Sequence, residues 1–96
     1  MHARRLAVVC ATDARLRAVC SILLRHAAYR VLEVESVREA RSIIESDQVA
    51  LVTAGVLADP DGELTALASS RKIPCLRLGA NLHIEALLKL FEQIQV

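Results

Sequence analysis

Leu6-Ala7-Val8-Val9-Cys10-Ala11-Thr12-Asp13-Ala14-Arg15-Leu16 holds two elements and the turn between them. The unbroken apolar run from Leu6 to Ala11 is what a parallel strand needs when helices cover both faces of its sheet. Thr12 or Asp13 then stands where a side-chain oxygen can accept hydrogen bonds from the free amides that open a helix. Leu16, Val19, Cys20, Leu23, Leu24 and Ala27 recur at i, i+3, i+4, i+7 and i+8, the stripe of an amphipathic helix, with Arg15, Ser21 and Arg25 away from it. A buried strand feeding directly into a helix is one βα unit.

The unit recurs along the chain. Tyr29 to Glu35 reads as a second strand, more polar and therefore nearer an edge. Ser36-Val37-Arg38-Glu39 has the form of a capping box, and Val37, Ala40, Ile43 and Ile44 give its helix a buried stripe. Val49 to Thr53 is a third strand and Gly55 to Ala58 a loop. Asp59-Pro60 resembles an N-cap with proline at the first helical position, followed by a short helix carrying Leu64, Leu67 and Ala68 and ending near Arg71 and Lys72. Ile73 to Leu78 is a fourth strand, marked as an edge by Pro74 and Arg77. Asn81 can cap a last helix with Ile84, Leu87, Leu88, Phe91 and Ile94 on its inner stripe, widened by Leu90 and Val96. The order βαβαβαβα, with right-handed crossovers, predicts a three-layer, doubly wound α/β domain over residues 1–96, with strand order 2-1-3-4.

Composition narrows the function classes. The 96 residues are 54% apolar and 24% charged, a folded single-domain composition, and the net charge is +1. One Tyr, one Phe and no Trp leave no stacking platform for single-stranded nucleic acid, so nucleic acid is not an expected partner. Up to Arg30 the chain carries Arg4, Arg5, Arg15, Arg17, Arg25 and Arg30 against Asp13 alone, while the remainder is acidic in balance. Such a basic third can attract an acidic partner or a phosphate backbone, although solvated helix faces have the same look. Cys10, Cys20 and Cys75 fit neither a metal motif nor a disulfide framework, and read as buried thiols of a cytoplasmic protein. The short apolar run near the N-terminus is neither a signal peptide nor a membrane span.

With those elements in place, the phrases resemble a bacterial response-regulator receiver, the CheY-like module of two-component signal transduction. Val8-Val9 followed by Asp13-Ala14-Arg15-Leu16-Arg17 is similar to a receiver's opening. Tyr29 to Val34 with Ser36 to Ala40 is similar to its second strand and helix. Asp47 to Thr53 parallels the strand that ends in the phospho-acceptor, and Ile73 to Ala80 the phrase that ends in a hydroxyl residue and alanine. The likeness covers residues 5 to about 80 and leaves the sheet one βα unit short of five.

What the resemblance implies chemically is not present. Phosphoryl transfer to a receiver uses a carboxylate nucleophile and acids that hold a divalent cation. The matching positions are Cys10 and Ala11 for the acidic pair, Thr53 for the acceptor and Gly79 for the hydroxyl, and the lysine-proline pair has no counterpart. The resemblance therefore implies a degenerate, pseudo-receiver without the phosphorylation switch. Asp59 and Asp61 are better explained by turn and cap roles than as acceptors.

Other sites are weaker still. Cys10 precedes a helix start, where a thiolate could be stabilised, but its loop lacks glycine and adds Asp13, so a buried structural cysteine is expected. His2, His26 and His83 have no second ligand at helical spacing, and no glycine-rich phosphate loop or Ser–His–Asp set occurs. No catalytic residue, cofactor or metal is expected, and the chain does not read as an enzyme. Two uses remain. The first is a regulatory module acting by protein–protein interaction through Arg15, Arg25, Leu87, Leu90, Phe91 and Ile94, including self-association through the last helix or fourth strand. The second is a small-molecule or phosphate-binding domain using the strand ends at Cys10, Thr12, Thr53 and Gly79.

Overall fold

The computed structural model describes residues 5–79 together with Lys89 and Glu92, which are helical and exposed. Its elements are β1 (Leu6–Cys10), α1 (Ala14–His26), β2 (Arg30–Val34), α2 (Val37–Ser46), β3 (Val49–Gly55), α3 (Glu63–Ser70) and β4 (Cys75–Leu78). All four strands are parallel, in the order β2-β1-β3-β4, as the apolar runs and right-handed crossovers predict. Of the expected last helix, Leu87, Leu90, Phe91 and Ile94 lie outside the described residues.

Strand alternation divides the core in two. Leu6, Val8 and Cys10 of β1 and Val52 and Ala54 of β3 pack against Ala40 and Ile44 of α2 and Leu64 and Ala68 of α3. Ala7, Val9, Leu51 and Leu78 face the opposite way, with Cys20 and Leu24 of α1. Each fully buried Val or Leu contributes about 1.5–3 kcal/mol of transfer free energy, so the β1–β3 pair is the centre of stability. β2 is an edge strand, and its Leu32 remains 38% exposed. Ser21, expected off the apolar stripe, is buried instead, and among the described residues its hydroxyl has no hydrogen-bond partner.

Local chemistry sets the element ends. Asp13 is the N-cap of α1, its carboxylate accepting from the amides of Arg15 (2.8 Å) and Leu16 (3.3 Å). Ser36 caps α2 by accepting from the Glu39 amide, but the Glu39 carboxylate meets the Ser36 hydroxyl at 3.3 Å instead of the Ser36 amide. Both α1 and α3 close in Schellman returns. Ala28 N–H donates to Arg25 and Tyr29 N–H to Leu24, and Lys72 N–H donates to Ser69 and Ile73 N–H to Ala68. The left-handed residues in these returns are Ala28 (φ 70°) and Lys72 (φ 59°), where glycine would be less strained. Tyr29, just past the first return, packs its ring on the α1 side of the sheet.

Three boundaries differ from expectation by two residues or more. β3 continues two residues past Thr53, because Ala54 and Gly55 still pair with Arg77 and Leu78 of β4. β4 begins at Cys75, after Pro74, whose ring nitrogen has no N–H for the ladder. α3 begins at Glu63, so Pro60 belongs to a turn that ends at Gly62 (φ 72°) and not to the helix. No helix among the described residues is long and apolar enough to cross a membrane.

Candidate functional site

Parallel strands with helices on both faces bring their C-terminal ends to one edge, where loops can form a site. Here the ends of β1, β3 and β4 surround a hollow of about 70 Å³, lined chiefly by Ala11, Thr12, Leu16, Gly55, Val56 and Gly79. Ala11 and Gly55 face each other across its floor. A β-carbon on Gly55 would stand 3.5 Å from that of Ala11, ordinary contact distance, while one on Gly79 would meet nothing within 4 Å. Among the described residues Asp13 is the one ionisable side chain on the hollow, and its carboxylate is engaged in capping α1. Among the described residues no three His, Cys, Asp or Glu side chains are grouped as a metal centre would need.

The four positions singled out from sequence separate in space. Ala11 and Gly79 line the hollow; Cys10 and Thr53 do not. Cys10 points toward the layer of α2 and α3 with no exposed surface. Burial, and then the nearby charges of Asp59 and Glu39, push its thiol up to about 11 against the opposing effect of Arg17, so it is not a thiolate nucleophile. Thr53 lies inside β3, equally buried, with its hydroxyl donating to the Val8 carbonyl at 3.4 Å. The side chain that reaches the strand-end position on β3 is absent, because that residue is Gly55.

Two arginines organise this edge. Arg17 Nη1 donates to the carbonyls of Ala11 (2.7 Å) and Thr12 (3.2 Å), and Nη2 lies 3.2 Å from Glu35. With its side chain only 14% exposed, Arg17 ties the exit of β1 to the exit of β2. Arg77 of β4 donates to the Pro60 carbonyl at 3.2 Å and sits 3.7 Å from the Asp59 carboxylate. Asp59 is 1% exposed and accepts from the amides of Glu63 (2.8 Å) and Leu64 (3.0 Å). It therefore caps α3 from across the turn. A β-carbon on Gly62 would come within 3.2 Å of Arg77, a second reason for glycine beside its positive φ.

Of the proposed contact residues, Arg15 is exposed on α1, and Arg25 lies 3.7 Å from Glu33 of β2. Sequence reasoning missed Gly55, Arg17 and the Asp59–Arg77 pair. The continuing small apolar pair Ala54-Gly55 is a usable sign that β3 runs on. Nothing in the linear sequence places Arg77 beside Asp59.

No family profile matches the chain, and no curated protein matches it either. Among solved structures, the chain is similar to the chemotaxis response regulator CheY4 of Vibrio cholerae, with a TM-score of 0.66 and 13% identity, over 96% of this chain and 99% of that one. Parallel pairing, strand order and this likeness together establish that the chain has the CheY-like, doubly wound α/β fold.

Proposed function

We propose that this chain is a receiver-like regulatory module that works by protein–protein contact and without phosphoryl transfer. The observation that carries the reading is the hollow at the strand ends, where Ala11 faces Gly55 and the single carboxylate among the described residues, Asp13, is occupied in a helix cap. Forming an acyl phosphate needs a free carboxylate nucleophile, and stabilising the charge on the phosphoryl oxygens needs a cation held by further acids. Arg17 already places a guanidinium on the carbonyls at the exit of β1, and Arg77 fastens the loop after β3 through Asp59 and Pro60. These ties support a pre-set surface more than a loop that answers to phosphorylation.

The test is incubation with acetyl phosphate and Mg²⁺ followed by intact mass measurement. An unchanged mass is expected; stable addition of a phosphoryl group on Asp13, Asp59 or Asp61 refutes the reading. Light scattering on the same protein measures the self-association included in it, and a monomer at all concentrations removes that part.

A further inference from the structure

We propose that the opposite edge of the sheet, at the strand N-termini, is a docking groove for an extended acidic peptide segment of a partner protein. This deepens the protein-contact reading by naming a surface and the chemistry of its partner. Two hollows of about 500 and 320 Å³ lie along this edge and share Asp47, Gln48, Val49 and Ala50. The first is completed by Arg5, Leu6 and Arg30, the second by residues that include Arg71, Lys72, Ile73 and Pro74. Because the strands run β2-β1-β3-β4, the side chains form a row: Arg30 and Arg5 at one end, Asp47 in the middle, Arg71 and Lys72 at the other.

All four cations are exposed, and among the described residues none is in an ion pair. They are not needed as helix caps either. Beside Arg30 and beside Lys72, the carbonyls ending α1 and α3 already receive backbone N–H groups through the Schellman returns. The row thus carries a local surplus of positive charge in a chain whose net charge is only +1. Such a surplus favours an anionic occupant.

The pattern of the row selects a peptide over a nucleic acid. Phosphates repeat a negative charge at every step, which would set one against Asp47. Among the described residues no aromatic side chain lines either hollow to stack a base. The edge spans three inter-strand steps, about 14 Å at roughly 4.8 Å each, the reach of four or five extended residues. The matching ligand carries acids at both ends of such a stretch and neutral residues between them, over a floor that includes Leu6, Val49 and Ile73.

Fluorescence anisotropy with a labelled peptide, two glutamate pairs separated by three neutral residues, tests this on the full chain. Saturable binding is expected, weakened at least fivefold by Arg30→Glu and by Arg71→Glu, and weakened similarly when the glutamates are gathered into one block. A single-stranded oligonucleotide of equal charge is expected to bind less tightly than the peptide. Arg30→Gln and Arg71→Gln, with circular dichroism to verify folding, separate loss of charge from loss of structure. Absence of saturable binding, equal affinity in all variants, or preference for the oligonucleotide overturns the docking groove. None of these outcomes changes the acetyl phosphate result, so the two proposals fail independently.

Discussion

Cys10 shows how little of a residue's chemistry is decided by its type. At the end of a strand and just before a helix, a thiol has the neighbours that often activate it. The pleat turns it instead into the layer of α2 and α3, where burial and the charges of Asp59 and Glu39 hold it protonated to about 11. Cys20, buried against the other face, is likewise pushed up to about 11 by burial. An acid whose folded pKa is raised from 9.0 to about 11 loses its proton more readily when unfolded. Stability is therefore full below about pH 9 and falls as pH rises through 11. Urea midpoints measured from pH 7 to 11 should decline in that window, and a Cys10→Ala, Cys20→Ala variant should decline less. A variant with the wild-type slope would show that these thiols are not the titrating groups. Cys10 was legible as a buried thiol, since free cysteine is usually buried. Its direction was not, because a continuous apolar run does not say which residues face which layer.

At the scale of elements, α3 depends on a residue that is not next to it. Asp59 reaches over the turn to the amides of Glu63 and Leu64, while Arg77 of β4 approaches from the far side. Asp59→Ala leaves two helix-opening amides without their acceptor and Arg77 with the Pro60 carbonyl but no carboxylate beside it, and should cost about 2–4 kcal/mol, measured from urea unfolding. A change below about 0.5 kcal/mol, the range of neutral surface substitutions, would show that the turn holds without it. Most elements could be read from the sequence, because β1, α1 and α2 combine an apolar pattern with a capping residue. The β3 end could not. Thr53 is polar enough to look like an exit, yet its hydroxyl is satisfied inside the sheet by the Val8 carbonyl, and the ladder carries on to Gly55. The start of α3 was misplaced for a related reason: Asp59-Pro60 has the composition of a helix opening, but the left-handed Gly62 comes before the first helical residue.

For the whole molecule, the CheY-like fold and its candidate site are separable. The four described strands pair in the CheY-like order, yet the floor between β1 and β3 is made of Ala11 and Gly55, which bring no functional group. Since their β-carbon positions are in ordinary contact, Ala11→Asp with Gly55→Asp should place two carboxylates together at the strand ends. That double variant should melt lower than the wild type in chelator, from like-charge repulsion, and recover in millimolar Mg²⁺, with the wild type indifferent to the cation. If Mg²⁺ leaves the variant's melting temperature unchanged, the two positions do not converge on one cation.

Tyr29 offers a practical return from the same architecture. It is the single tyrosine of a chain without tryptophan, seated where the first Schellman return delivers the chain from α1 into β2. Ultraviolet emission excited in the phenol band therefore comes from that corner alone. Detachment of α1 from the sheet can be watched through it, label-free, while rearrangements at the opposite edge stay optically silent.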